Sequence, residues 1–428
     1  MIIPRPGTPA RPPTRIGVLG CGLIGKQHLR AWQSVAQATP GTVEITAVGD
    51  ANLSAARACA DQVASWQPRR PRVLSRVDQL LDPAVIDGVD VCLPVADHQP
   101  VACTAAQRGI HVLVEKPLAV TIAAGRAMMT AARQAGVVLS LAENHRRTLT
   151  IRTAAWLLRR GIIGTPELLH AQRSRYEPPA DDRRWQWRAG RAHGGGGWAI
   201  DNAAHLLDTL IYLFGPIDAV TATAKRVQER RLARDGTWVV DEREDVLAAL
   251  LTFANGMTGM FSVTSALPGN ERFLFSIQGT DGAIVDDGGQ LFHAPLPSAQ
   301  IHTRNGRNGR IEDFHQAFLN SLSPQQTQRL FPYGLREDFP IECAEFLRAI
   351  RDQVGVEITA EAALQTLATS LAFYESAASG GHTVRVPDVL SGALHTYQDT
   401  VTAADALSGC DFRDHRTRWP APGTQTIA

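Results

Sequence analysis

The sequence has few cysteines, and their spacing forms no recognisable motif. Six cysteines are spread over 428 residues, without a C-x-x-C pair or the spacing of zinc ligands. We therefore expect reduced, mostly buried thiols, no bound metal and a cytoplasmic protein.

Excess charge and long apolar runs are also absent. Lys and Arg total 43 against 42 Asp and Glu, so the net charge of +1 creates no field that would attract nucleic acid or anionic lipid. No apolar run approaches the roughly 18 residues of a membrane span. The proline-rich residues 1–14 lack the apolar core of a signal peptide, and they predict a flexible N-terminal arm. These absences favour a small, roughly neutral substrate and no nucleic-acid or membrane partner.

What is present is a large apolar fraction, 44% of the residues, in a chain long enough for two domains. Residues 15–148 alternate short β-branched runs with helical stretches, which predicts an α/β fold with a doubly wound parallel sheet. Residues 149–387 predict an α+β domain with a large, open, mostly antiparallel sheet, because apolar and polar residues alternate along its strands. Residues 286–340 are interpreted as insertion loops, and residues 388–428 as a C-terminal arm.

The periodicity also places individual elements. The predicted strands are 15–20, 43–50, 72–75, 89–95, 111–114, 137–141, 167–176, 219–227, 246–253, 257–265, 272–279 and 382–386. The principal predicted helices are 23–37, 53–66, 99–108, 122–134, 200–213, 342–351 and 361–378.

A glycine fingerprint follows the first predicted strand and opens the first helix. Gly20 permits a tight turn, Gly22 lets the backbone approach a pyrophosphate, and Gly25 lets the helix pack closely on its strand. The helix then begins at Leu23 and Ile24, where free N–H groups and a partial positive charge favour phosphates. In this context the motif predicts a Rossmann dinucleotide-binding site.

An acidic residue, Asp50, closes the second predicted strand about thirty residues after the fingerprint. There a carboxylate accepts hydrogen bonds from the adenosine ribose hydroxyls and repels a 2′-phosphate. No arginine follows within the next few positions. The sequence therefore favours NAD as cofactor and leaves NADP open.

Two further motifs sharpen the interpretation. Val112–Pro117 contains Glu-Lys-Pro, and a glycine run from Gly194 leads into Asp201, His205 and Asp208. Together with the fingerprint, these motifs resemble the Gfo/Idh/MocA family of oxidoreductases over roughly residues 15–386. The resemblance implies that Lys116 lies at the junction of cofactor and substrate, that Asp201 and His205 face it, and that the open sheet mediates a homodimer or homotetramer.

The chemistry of these residues agrees with that resemblance. Oxidising a secondary alcohol requires a group that accepts the hydroxyl proton, and a histidine suits that role, so His205 is the candidate base. Asp201 and Asp208 stand four residues before and three after His205, and Asp201 is the expected partner of the imidazole. Lys116 can stabilise a developing alkoxide or relay the proton.

Other polar positions are weaker candidates. Contacts to the cofactor are expected from residues at the carboxyl ends of the fourth and fifth strands, namely Pro94, His98, Glu115 and Lys116. Contacts to the substrate are expected from Lys116, Asn144, Arg146, Trp187, Arg188, Asp201 and His205. Capping, loop polarity and lid packing explain several of these residues about as well.

Three functions stay open at this point. The first is a dehydrogenase or reductase that acts on a secondary hydroxyl or ketone of a sugar, cyclitol or glycoside. The second is a redox-neutral enzyme, such as an epimerase, lyase or glycoside-cleaving enzyme, that oxidises its substrate only transiently. The third is a nucleotide-sensing regulator, which would have no need of a proton-transfer group. Ala203, where the family often has glycine, puts any transfer of a particular sugar in doubt.

Overall fold

The computed structural model describes residues 11–180, 188, 190–232, 236–288 and 296–408. Its N-terminal part contains a six-stranded sheet in the order β3-β2-β1-β4-β5-β6, and every neighbouring pair is parallel. The strands are β1 (Thr14–Leu19), β2 (Val43–Gly49), β3 (Arg72–Leu74), β4 (Gly88–Val91), β5 (His111–Glu115) and β6 (Leu139–Ala142). Helices cover both faces, which explains why β4 and β6 are buried along their whole length.

Helices connect these strands at boundaries that local chemistry fixes. They are α1 (Leu23–Ala38), α2 (Leu53–Ala64), α3 (Val77–Leu80), α4 (Val95–Gln107) and α5 (Ile122–Ala135). The Asn52 side chain caps the first turn of α2, and the Thr121 hydroxyl caps that of α5. Gly136, in the left-handed conformation with φ of 65°, ends α5.

The second sheet is mixed and carries nine strands in the order β16-β15-β14-β13-β7-β12-β11-β8-β17. Its strands are β7 (Pro166–Ser174), β8 (Ile217–Lys225), β11 (Val246–Phe253), β12 (Thr258–Thr264), β13 (Arg272–Gly279), β14 (Gly282–Asp286), β15 (Gln300–Thr303), β16 (Gly309–Arg310) and β17 (Val384–Arg385). A separate hairpin consists of β9 (Arg230–Leu232) and β10 (Trp238–Val240). Along β11 buried and exposed residues alternate, so one face of the sheet is covered and the other is open.

The second part also contains helices, of which Ala360–Ala378 and Val386–Ser391 pack on β8 of this sheet and Asp338–Asp352 packs on α1 of the first domain. The helices are α6 (Leu149–Arg159), α7 (Arg191–Gly194), α8 (Ala203–Phe214), α9 (His315–Asn320), α10 (Pro324–Leu330), α11 (Asp338–Asp352), α12 (Ala360–Ala378), α13 (Val386–Ser391) and α14 (Thr396–Ser408). Short 3₁₀ turns span His145–Arg147, Ile311–Phe314 and Pro332–Gly334. Among the described residues, no helix is both long and apolar enough to span a membrane.

The predicted fold class is confirmed, and the predicted strands of both sheets match the observed ones to within a few residues. The interpretation of residues 286–340 as loops was wrong in part, because they contain β15, β16, α9 and α10. Within residues 388–428, interpreted as a C-terminal arm, α14 forms. Polar, glycine-rich composition hid these short elements, since tertiary packing stabilises them.

Helix α11 completes the first domain from far along the chain. Its Phe346 and Leu347 share one buried core with Ile16, Leu29 and Trp32. The domain boundary predicted at residue 148 therefore describes where the parallel sheet ends, while its outer layer takes a helix from beyond residue 337.

Candidate active site

The glycine turn between β1 and α1 has the geometry that a dinucleotide site needs. Gly20 has a φ of 93°, and a Cβ there would lie 2.2 Å from the Cys92 carbonyl oxygen. A Cβ on Gly25 would lie 1.8 Å from the Gly20 carbonyl oxygen, so neither position can carry a side chain. Gly22 instead faces open space, because apart from its chain neighbours no atom of the described residues lies within 4 Å of an added Cβ. This opening at a helix N-terminus without an acidic first turn suits a pyrophosphate group.

Asp50 lies directly against this turn. One carboxylate oxygen accepts a hydrogen bond from the Cys21 N–H at 2.7 Å, and the other accepts one from the Asn52 N–H at 2.7 Å. Each carboxylate oxygen can accept more than one hydrogen bond. The residues present therefore fit NAD, with the Gly20–Gly25 turn for the phosphates and Asp50 for a ribose.

A cluster of buried charged side chains contacts the turn that carries Lys116. The His28 imidazole lies 2.9 Å from an Asp90 carboxylate oxygen and 3.0 Å from a Glu115 oxygen. The second Glu115 oxygen accepts a hydrogen bond from the Lys116 N–H at 3.1 Å. Burial lowers the pKa of His28, but Asp90 and Cys92 together raise it more, so the net pKa lies well above the usual value. A buried imidazolium thus fixes the backbone of Lys116.

His98 holds the same turn from the other side. Its ring is fully buried, and its two nitrogens lie 3.0 Å from the carbonyl oxygens of Leu93 and Pro117. This geometry gives His98 a positioning role. A polar contact from His98 to the cofactor stays a prediction. Pro94 precedes it as the N-cap residue of α4.

Lys116 and Asp201 form an ion pair, which a second cation joins. The Lys116 Nζ donates to the Asp201 carbonyl oxygen at 2.8 Å and lies 3.2 Å from its Oδ1. The Arg188 Nε donates to Asp201 Oδ2 at 2.9 Å. Burial raises the pKa of Asp201, but Arg188 and Lys116 hold it well below its usual range. Asp201 is therefore an ionised carboxylate that orients the Lys116 ammonium.

His205 is oriented by Glu143, and the expectation that Asp201 would do this was wrong. The His205 Nδ1 lies 2.8 Å from both carboxylate oxygens of Glu143, which directly follows β6. Asp201 precedes α8, which begins only at residue 203, so it does not share a helical face with His205. Its carboxylate points instead toward Lys116 and Arg188.

The protonation of His205 follows from its surroundings. Burial and the Lys116 ammonium lower the pKa of His205 to about 3, so the imidazole is neutral near neutral pH. Burial raises the pKa of Glu143. A neutral ring that donates its Nδ1–H to Glu143 leaves a lone pair on Nε2. His145 stacks on this ring with centroids 4.1 Å apart. An ionised Glu143 would hold the imidazole in the tautomer that accepts a proton at Nε2.

Lys116 and His205 line one cavity of about 540 Å³. Its walls come from α1, β5, the 3₁₀ turn, α8 and the start of α11, and they are formed by Ile24, Gln27, Glu115, Lys116, Asn144, His145, Thr148, Thr150, His205, Pro297, Asp338 and Phe339. Lys116 and His205 therefore face one space that begins beside the glycine turn. The exposed fractions of their side chains, 13% and 18%, leave each open to a ligand there.

The remaining predicted substrate contacts divide into two groups. Asn144 lines the cavity and donates to an Asp338 oxygen at 2.7 Å. The Arg146 guanidinium turns away from it and forms a buried, bidentate pair with Asp208. Trp187 lies outside the described residues. These assignments as substrate contacts stay predictions, and Arg146 would need to break its pair with Asp208 to make one.

The same site brings metal-ligand atoms together. Glu143, His145 and His205 each place one donor atom within 4.8 Å of the others. The Glu143 and His205 donors are hydrogen-bonded directly to each other, so a metal ion would have to displace that bond. The expectation of no metal stays a prediction.

Sequence reasoning considered Glu143 as a contact to ribose or substrate but did not identify it as the partner of His205, and it assigned no role to the cluster around His28. Glu143 lies 62 positions from His205, beyond the reach of any helical spacing rule. One signal could have found it, because an acidic residue directly after a buried parallel strand lies at the carboxyl edge of the sheet, where ligands bind.

Comparison with known proteins agrees with the fold. Residues 14–143 match the model described as "Oxidoreductase family, NAD-binding Rossmann fold". Residues 156–386 match the model described as "Oxidoreductase family, C-terminal alpha/beta domain".

Curated relatives with named activities are sugar dehydrogenases and reductases. The chain is 26% identical to levoglucosan dehydrogenase of Pseudarthrobacter phenanthrenivorans over 295 residues, which cover 63% of this chain and 72% of that protein. It is 27% identical to 1,5-anhydro-D-fructose reductase of Ensifer adhaerens over 363 residues, which cover 84% and 96%. Among solved structures, levoglucosan dehydrogenase in complex with NADH and levoglucosan superposes with a TM-score of 0.71 at 24% identity, covering 87% of this chain and 99% of that one. This structural likeness concerns the fold.

Proposed function

Because the chain belongs to the Gfo/Idh/MocA family of oxidoreductases, and is an NAD-binding dehydrogenase or reductase, we propose that it transfers hydride between NAD and a secondary hydroxyl or ketone of a sugar, cyclitol or glycoside. The observation that carries the proposal is the single cavity that Lys116 and His205 share beside the glycine turn. Relatives that act on levoglucosan and 1,5-anhydro-D-fructose support a sugar-like substrate.

In the oxidising direction, His205 accepts the proton of the substrate hydroxyl at Nε2. Glu143 holds the Nδ1–H and stabilises the imidazolium that forms. Bound nicotinamide supplies the hydride chemistry at the carbon. In the reducing direction, the same imidazolium returns a proton to the carbonyl oxygen.

The Lys116 ammonium stabilises negative charge on the reacting oxygen. Asp201 and Arg188 keep it in place, because the ion pair and the carbonyl bond fix two of its donor directions. Burial and the ammonium together keep His205 unprotonated before substrate binds, since both lower the pKa of the imidazole. The two groups therefore divide the work between charge stabilisation and proton transfer.

The open face of the nine-stranded sheet serves self-association in this proposal. Leu250 and Met260 are 52% and 42% exposed there, on neighbouring strands β11 and β12. Apolar side chains grouped on an exposed sheet face favour burial against another surface. A second copy of the chain would cover them in a homodimer or homotetramer.

A substrate screen tests the proposal. Purified protein is mixed with NAD or NADP and with sugars, cyclitols and glycosides, while nicotinamide absorbance is followed. We expect stoichiometric reduction of NAD with at least one polyol, and loss of turnover in His205→Ala with NAD binding retained. The matched control is His395→Ala, which removes an exposed histidine that pairs with Asp399 on the surface.

The competing functions give different results in the same screen. A redox-neutral enzyme would convert substrate with only a transient change in absorbance, and a nucleotide sensor would bind NAD without converting any substrate. Unchanged turnover in His205→Ala would remove the imidazole from the mechanism. Turnover that disappears with EDTA and returns with a divalent metal would overturn the metal-free site.

A further inference from the structure

The C-terminal helix α14 lies beyond residue 386, where the match to the family model ends, yet it packs against the segments that build the active site. Tyr397, in its first turn, donates a hydrogen bond from its hydroxyl to the Gly195 carbonyl oxygen at 2.8 Å. The ring of Tyr397 stacks on that of Tyr374, with centroids 4.3 Å apart and planes 13° from parallel. The helix therefore contacts the glycine run that precedes Asp201.

The glycine run is tightly enclosed at this contact. Gly196 has a φ of 151°, and a Cβ there would lie 2.4 Å from the Tyr374 hydroxyl oxygen. The Gly197 N–H lies within hydrogen-bond distance of that oxygen, 2.8 Å, and of a Glu244 carboxylate oxygen, 2.9 Å. The Asp201 N–H in turn donates to the Gly197 carbonyl oxygen at 2.9 Å. The position of Asp201 is thus set by the run that the two stacked tyrosines cover.

Gln398, the next residue of α14, contacts the segment that follows Lys116. The Gln398 side-chain oxygen accepts a hydrogen bond from the Ile122 N–H at 2.8 Å, at the start of α5. Ile122 follows Lys116 by six positions along a connection in which Val120 packs on Gly195. Adjacent residues of α14 therefore bond to the segment of Lys116 and to the segment of Asp201.

We propose that α14 is a clamp that fixes the position of Lys116 relative to Asp201 by contacting the two segments that carry them. Tyr397 is its principal positioning residue. This inference rests on the function proposed above, because it concerns the ammonium of that site. The physical reason is geometric: Lys116 makes hydrogen bonds to Asp201 across two chain segments, and a shift of about 1 Å in such a site costs on the order of 10²-fold in rate.

Two substitutions test the hydroxyl and the ring of Tyr397 separately. Tyr397→Phe removes the bond to Gly195 and keeps the stack on Tyr374, while Tyr397→Ala removes both. We expect kcat to fall severalfold in Tyr397→Phe and on the order of 10²-fold in Tyr397→Ala. The KM for NAD should stay unchanged, because Gly20–Gly25 and Asp50 make no contact with Tyr397 among the described contacts. The control is Asp399→Ala, which removes a solvent-facing carboxylate from the same helix.

Hydrogen–deuterium exchange gives a second readout that does not depend on turnover. In Tyr397→Ala, exchange should rise in peptides covering 116–122 and 194–201 and stay at wild-type levels in the parallel sheet. This result, with kcat reduced or turnover undetectable, supports the clamp, while the substrate screen decides the proposed function separately. Unchanged exchange in both segments, exchange raised uniformly over the whole chain, or a wild-type kcat in Tyr397→Ala would overturn it.

Discussion

The His205 imidazole and the Glu143 carboxylate form one hydrogen-bonded unit, with Nδ1 2.8 Å from both carboxylate oxygens. In this arrangement Glu143 selects the tautomer of His205, because an ionised carboxylate accepts only from a protonated Nδ1. The proton-accepting nitrogen is then Nε2, and the side chain of His205 reaches the cavity. Glu143, at the end of β6, therefore positions the side chain that is proposed to accept the substrate proton.

Glu143→Gln tests this unit. The amide NH₂ can donate to Nδ1, which moves the ring proton to Nε2 and removes the acceptor. We expect kcat to fall on the order of 10²- to 10⁴-fold, with the Kd for NAD unchanged. Steady-state kinetics and fluorescence titration with NADH measure the two effects. Glu361→Gln, at a surface carboxylate that pairs with Arg133, is the control and should behave like the wild type. Wild-type kcat in Glu143→Gln would disprove the role.

Lys116→Met should change the pH profile as well as the rate. Burial and, to a lesser extent, the Lys116 ammonium lower the pKa of His205 to about 3, so the wild-type base is available throughout the range in which the protein is assayed. Without that charge, the pKa of His205 rises toward the usual value of about 6.5, and an acidic limb should move up into the profile of kcat/KM. Lys116→Arg retains the charge and should keep the wild-type profile at reduced turnover. An acidic limb at the same pH in Lys116→Met and wild type would contradict this coupling.

Asp50→Ala should weaken NAD binding and relax the preference for NAD over NADP. The substitution removes an acceptor for ribose hydroxyls and the charge that repels a 2′-phosphate. Hydrogen bonds to a charged group contribute about 1.5–3 kcal/mol, so the Kd for NAD should rise roughly 10- to 100-fold. Titration with NADH and NADPH measures both constants, and Asp61→Ala, at an exposed carboxylate paired with Arg70, is the control. An unchanged ratio of the two constants would count against the assignment.

Leu250→Arg should reduce the size of the assembly. Leu250 is 52% exposed on the open sheet face, and an arginine there would place charge in an apolar contact. Light scattering coupled to size exclusion should show a smaller mass than the wild type. Val354→Arg places the same charge at an exposed apolar position outside the sheet and should leave the mass unchanged. A wild-type mass in Leu250→Arg would remove this face from the interface.

The sequence predicted the parts of the site that local patterns determine. The glycine fingerprint, Asp50 and Glu-Lys-Pro all adjoin the ends of buried strands, and the structure places them at one edge of the sheet. The strands themselves were predictable because burial on both faces of a parallel sheet requires continuous apolar runs.

The partner of His205 was not predictable in the same way. Helical spacing favoured Asp201, but α8 begins only after that residue, at Ala203, and the Asp201 carboxylate lies against Lys116 instead. The actual partner, Glu143, directly follows β6, and the packing of α8 against the 3₁₀ turn at His145–Arg147 brings the two together. The role of α14 was not predictable for a similar reason. Tyr397 and Gln398 form hydrogen bonds to residues more than 200 positions away in the chain.

The buried cluster beneath Lys116 gives the last prediction, which concerns stability. His28 is fully buried between the carboxylates of Asp90 and Glu115, and Glu342 lies 3.5 Å from its Nε2. His28→Ala leaves two buried carboxylates without their cation, so the free energy of unfolding should fall by about 3–5 kcal/mol. Urea denaturation followed by circular dichroism measures this loss.

The pH dependence of the free energy of unfolding distinguishes the contribution of His28 from that of Glu342. The pKa of His28 is raised in the folded protein, so its contribution is complete below the unfolded pKa of about 6.5 and is lost as the pH rises toward the folded pKa. Burial also raises the pKa of Glu342 well above its usual value, so that carboxyl costs stability as the pH rises above about 4.5. Glu342→Gln removes this cost and should be more stable than the wild type at pH 8, while His28→Ala should be less stable at every pH at which the wild type folds. A Glu342→Gln variant that loses stability at pH 8 would mean that Glu342 is ionised and shares the charge of His28.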